Sequence, residues 1–112
     1  MFQPSQKKDN AVILPVEGNL ALGLESQLKD GLLKEISLCT GPMLLDFSKV
    51  SFIDSACLGV LIGVVKKIRQ KGQDLFIFGL QDEVRSIFQI TRLDKVIRVF
   101  KTVDEALVVC RS

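Results

Sequence analysis

The chain has 112 residues, 47% of them hydrophobic and 25% charged, with a net charge of +2. That length holds one domain with a substantial core, and the composition excludes a disordered or strongly basic polypeptide. Fifteen Lys and Arg are scattered among thirteen acids with no continuous phosphate-binding stripe, so clusters such as Lys7-Lys8 and Lys66-Lys67 read as solvated surface and nucleic acid is not the expected partner.

In chain order, the first segment, FQPSQKKDN, is polar and contains Pro4, so any strand within residues 1–10 is expected to be weak or frayed. AVILPVEG, ending at Gly18, is strand-like, although Pro15 supplies no ladder donor and favours an edge or a bulge. From Gly23 to Leu38, the residues Leu24, Leu28, Leu32 and Ile36 recur every fourth position with Leu33 beside them, the pattern of an amphipathic helix. Gly41-Pro42 stops it. MLLDF is a short buried strand, and after SKV the chain reaches Phe52 and Ile53. A second helix follows Ser55. DLFIFG, bounded by Gly72 and Gly79, is another strand, and Val84, Ile87, Phe88 and Thr91 share one face of a third helix. VIRVF gives the last strand, and Thr102 with Glu105 forms the T-x-x-E capping box of a fourth helix. Alternating apolar runs and helical patterns, without repeat or linker, argue for a single α/β domain over residues 1–112.

Cys39, Cys57 and Cys110 lack the paired spacings of zinc or dithiol sites and read as free thiols in a reducing compartment. There is no histidine, which removes hydrolytic triads and histidine-based metal sites. No metal, cofactor or catalytic residue is expected. The amino terminus shows no charged-then-apolar signal pattern, and the longest apolar run, Cys57 to Val65, falls far short of the ~20 residues that span a bilayer. A cytoplasmic protein is expected, without a membrane partner.

FIDSACLG, residues 52–59, changes character abruptly, from bulky apolar residues to an acid and a hydroxyl and then to small residues. In the helix that follows, Leu58, Leu61, Ile62, Val65 and Ile68 share the face expected to pack on the sheet. The opposite face carries Ala56, Gly59, Val60 and Gly63. Each interior glycine costs a helix roughly 1 kcal/mol relative to alanine, so either a close-approaching partner favours them, or a second layer of the protein covers them, or they are merely tolerated. Ser55 has two readings as well. Serine is a preferred N-cap and Asp54 beside it suits the positive helix end, yet a hydroxyl at such a tip is reachable, and a phosphate there would meet backbone N–H groups and the helix dipole.

MLLDFSKVSFIDSACLGVLIGVVKKIRQKGQDLFIFG, followed by EVRSIFQITRLDKVIRVFKTVDEAL, resembles the STAS domain and, more closely, bacterial anti-sigma factor antagonists. The resemblance runs from about Val12 to Leu107 and centres on the Asp-Ser pair after a buried strand, followed by Leu-Gly-Val in a helix. It implies a mixed β-sheet packed against about four α-helices. It also implies that Ser55 is phosphorylated by a cognate anti-sigma factor serine kinase, that the unphosphorylated form sequesters this kinase and frees a sigma factor, and that a serine phosphatase of the metal-dependent type resets the switch. Asp54 matches the acid before that serine, and Ala56, Gly59, Val60 and Gly63 match the family's partner-binding surface. The chain departs from the pattern at Cys57, where glycine is usual, and at Ala21, where Gly-x-Leu-Asp gives way to Gly18-Asn19-Leu20-Ala21. Asp46 matches a common family acid, alongside a purely local role bonding nearby N–H groups.

Two other classes compete with this reading. A non-switching STAS subunit of a transport or signalling assembly would use Ser55 only as a cap. A small nucleotide-binding protein is disfavoured by the absence of a Walker-type glycine loop.

Overall fold

The computed structural model describes residues 1–111, and its elements alternate as the apolar runs dictate. They are β1 (Gln6–Lys8), β2 (Ala11–Leu20), α1 (Glu25–Leu38), β3 (Met43–Ile53), α2 (Ser55–Gln70), β4 (Leu75–Phe78), α3 (Asp82–Ile90), a 3-10 turn (Leu93–Lys95), β5 (Arg98–Phe100) and α4 (Val103–Arg111). The strands form one five-stranded sheet in sequential order. β1 runs antiparallel to β2, and β2 to β5 are mutually parallel. The sheet is therefore mixed, with the four helices expected.

Strand alternation divides the core. Leu45 and Phe47 of β3 and Leu75 and Ile77 of β4 join the large cluster beneath α1, α2 and α3. Leu44, Phe76 and Phe78 point the other way, against Ala106 and Leu107 of α4. Consecutive parallel strands joined by right-handed crossovers put the crossover helices on one face, which leaves α4 to cover the other. Its start shows the Thr102 half of the anticipated box, while the Glu105 side chain reaches one residue further back than the cap. The Glu105 N–H donates to Thr102 Oγ1 and the Glu105 carboxylate accepts from the Lys101 N–H, each at 3.3 Å.

Two segments extend beyond the sequence expectation. β3 continues through polar SKVS to Ile53 because β2 runs on to Leu20 and pairs with it along its length, Leu20 opposite Ile53. The ladder shifts register between Pro15 and Glu17, the irregularity that a missing proline donor predicts. At the amino terminus β1 is short and fully exposed, but Phe2 bridges to Val16 and its ring occupies the space that a side chain at Gly31 of α1 would fill.

Gly41 is required for a different close approach: a Cβ there would run into the Asn10 carbonyl oxygen, backbone held by the adjacent bond from the Val12 N–H to the Pro42 carbonyl, 2.9 Å. Gly41→Ala is expected to destabilise by about 1–3 kcal/mol, with Tm falling by roughly 4–8 °C per kcal/mol. Thermal melts followed by circular dichroism check this, and an unchanged Tm would show that the Asn10 turn moves aside freely.

Candidate partner-binding site

The end of β3 and the start of α2 are locked together by backbone bonds. Ile53 is buried, and the next residue, Asp54, leaves the strand with φ −93° and ψ 175°. Its N–H donates to the Leu20 carbonyl at 3.0 Å, and its Oδ1 accepts from the Cys57 N–H at 2.9 Å. Asp54 is thus the N-cap of α2, and the reading of Ser55 as the cap is corrected. A cap needs extended backbone and a side-chain oxygen that reaches the third helical N–H. Asp54 meets both conditions, whereas Ser55 is already the first helical residue.

The Cys57 N–H holds the Asp54 carboxyl below its ordinary range, against an opposing effect of burial, with help from the Cys57 thiol and the N–H groups of Leu22 and Ala56. A lowered folded-state pKa means that the cap's contribution is present at neutral pH and is lost as pH falls through that value.

Ser55 is exposed. Among the described residues, no group hydrogen-bonds its hydroxyl. Ala56, Gly59 and Gly63 are also exposed and Val60 is half-buried, which places the whole anticipated face on the outside. A Cβ added at Gly59 or Gly63 would meet nothing within 4 Å. No second layer of the described chain covers them, and close internal packing does not explain them.

The opposite face is wider than expected. Leu58, Leu61, Val65 and Ile68 are buried as anticipated, but Cys57 and Val64 are buried with them, and Ile62 is only half-buried. The buried arc is turned because α2 packs on α1 as well as on the sheet. At the far end the Lys71 ammonium donates to the Ile36 carbonyl at 2.6 Å, fixing the end of α2 against the end of α1.

That packing creates a feature the sequence did not disclose. Lys29 and Leu33 of α1 form one wall of a trough of about 380 Å³, whose other wall is the small face of α2 down to Lys67. Lys29 and Leu33 each follow a residue of the buried Leu28–Leu32 row, and periodicity alone does not say which flank meets a neighbouring helix. Leu22 is a second feature that its sequence context does not signal. It is 93% exposed with φ +57°, a left-handed conformation disfavoured for leucine, and lies in the loop that contributes an N–H to Asp54.

The two departures from the family pattern have different consequences. Cys57 is fully buried, and burial first, then the Asp54 carboxylate, pushes its thiol up to about 11. It stays protonated at neutral pH and acts as a small apolar core residue. Ala21 is buried at the base of the loop and offers no charge there. Asp46 accepts from the Ser48 N–H at 2.9 Å, the local role. Among the described residues no cluster of His, Cys, Asp or Glu could hold a metal, and no helix is long and apolar enough to cross a membrane.

Similarity to known proteins centres on the same architecture. An anti-sigma-B factor antagonist of Listeria monocytogenes is 36% identical over 73 residues, 65% of this chain and 56% of that protein. The chain therefore matches little more than half the length of that relative. The anti-sigma factor antagonist SpoIIAA of Bacillus shares the fold. In its unphosphorylated form the TM-score is 0.78 at 21% identity, covering 99% of this chain and 96% of that one. In its phosphorylated form the TM-score is 0.68 at 20% identity, covering 96% of each chain. A sulfate transporter family protein of Wolinella succinogenes also has this fold, with a TM-score of 0.79 at 21% identity over 95% of this chain and 88% of that one. The STAS domain profile matches residues 4–106, spanning every strand and helix except the last turns of α4, and the chain belongs to the STAS domain family.

Proposed function

We propose that this chain is an anti-sigma factor antagonist that works by partner switching. With Ser55 unphosphorylated, the face of Asp54, Ser55, Ala56, Gly59, Val60 and Gly63 captures an anti-sigma factor serine kinase and frees a sigma factor. The kinase transfers phosphate to the Ser55 hydroxyl and the complex is lost. A metal-dependent serine phosphatase restores the capturing form. The chain itself performs no catalysis in this cycle, all of which runs in the cytoplasm on one STAS domain.

The observation that carries the proposal is the Ser55 hydroxyl, exposed and unbonded at the head of an open helix face. Because Asp54 supplies the cap, the helix does not need this hydroxyl, which disfavours a subunit in which Ser55 serves only to start α2. The name of the Listeria relative and the two forms of SpoIIAA support the same reading.

Incubation with a candidate kinase-type anti-sigma factor of the same organism, ATP and magnesium tests it. Phosphate is expected on Ser55 alone, and Ser55→Ala should abolish labelling while Ser48→Ala and Ser51→Ala leave it intact. Incorporation that persists in Ser55→Ala above trace level would move the switch elsewhere.

A further inference from the structure

We propose that the trough between α1 and α2 receives an acidic helix of the captured partner, whose apolar ridge lies along Leu33, Val60 and Gly63 while its carboxylates pair with Lys29 and Lys67. This deepens the partner-switching reading and rests on it. The trough offers one sign of charge: both of its ionisable side chains are lysines, and no acid lines it. Among the described residues neither ammonium has an ion pair or hydrogen bond, so both are available to an incoming carboxylate. Their aliphatic stems prolong the apolar walls while the charges stay at the rim.

The shape selects a helix. α2 has no free ladder to extend with a strand, and packed helices lie about 8–10 Å apart, closer where the side chains between them are smaller. Gly59 and Gly63 leave that space empty. A rounded apolar ridge with flanking acids fits such a groove in the helix-in-groove mode, and rim charges of opposite sign then set its register and speed its arrival.

The test compares wild type, the double variant Lys29→Glu/Lys67→Glu and Gly63→Arg in calorimetric titrations with the full-length kinase-type anti-sigma factor, at low (~0.05 M) and high (~0.5 M) salt. The double reversal is expected to weaken binding at least ~10-fold at low salt, with the gap narrowing at high salt as screening grows. Reversal of the acids on the partner helix should restore it. Both lysines are exposed, so melts should be unchanged, and Lys29→Gln/Lys67→Gln gives the same readout with smaller loss if the double reversal folds poorly. If Gly63→Arg abolishes binding while the lysine variants bind as wild type, the acidic helix is wrong and the antagonist reading stands. No binding by wild type would overturn both. Self-association of the protein that Gly63→Arg removes would make a second copy the occupant and overturn this inference.

Discussion

Gly63→Arg is expected to eliminate measurable capture of the anti-sigma factor while leaving the thermal melt within a few degrees of wild type. The position is exposed on the outer face of α2, and a Cβ there meets nothing within 4 Å, so a long side chain leaves without displacing core atoms. Replacing an interior helix glycine removes a penalty of roughly 1 kcal/mol, which offsets any crowding along the trough. For a partner the same side chain fills the space that its own backbone would occupy, and overpacking a close interface cannot be relieved by a small shift. The companion variant Gly59→Ala/Gly63→Ala separates the two roles of these glycines. It should raise stability by up to about 1 kcal/mol per site and weaken binding by less than the arginine does. A Gly63→Arg protein that fails to fold would mean that this face is internal. One that folds and binds as wild type would mean that the partner docks elsewhere.

The fold was legible wherever one physical demand dominated a segment. The four-residue recurrence of Leu28, Leu32 and Ile36 locates the buried side of α1, all three being buried. Pro15 marks the irregularity in the β2 ladder because it cannot donate, and Thr102 with Glu105 marks the start of α4. Where long-range packing set the outcome, local pattern was silent. Residues 48–51 are too polar to read as strand, yet β2 supplies a pairing partner across them. Phe2 lies in a polar segment, and its place is set by partners distant in sequence, the Val16 bridge and the space left by Gly31.

At the site, the outward face of α2 could be read from helical spacing, but the identity of the cap could not. Asp54 and Ser55 are both good capping residues, and the choice turns on one backbone dihedral, set where β3 ends. Lys29, Leu33 and Lys67 became site residues through the side on which α1 meets α2. The left-handed backbone at Leu22 has no local signal, because leucine has no preference for that conformation.

The proposed switch works by charge and desolvation, and the phosphorylated protein puts it to the proof. Phosphate on Ser55 brings roughly −1.5 to −2 charges to the first residue of α2. There the helix dipole favours it by typically ~0.3–1 kcal/mol when exposed, while the ionised Asp54 carboxylate beside it repels it in well-solvated surroundings. These effects oppose one another and neither reaches the core, so the fold should tolerate the modification. Docking is different. A partner that covers Ser55 must strip water from the phosphate, and unless it sets a cation against that group the loss is large against the margin of a transient complex. Affinity for the kinase should therefore drop at least ~10-fold, or ~1.4 kcal/mol, while Tm moves by only a few degrees. Calorimetric titration of the kinase into the stoichiometrically phosphorylated protein, with a melt of the same sample, is the decisive measurement. Weakened binding with an intact melt is the expected result; unchanged affinity would contradict the switch, and a collapsed melt would replace it with unfolding.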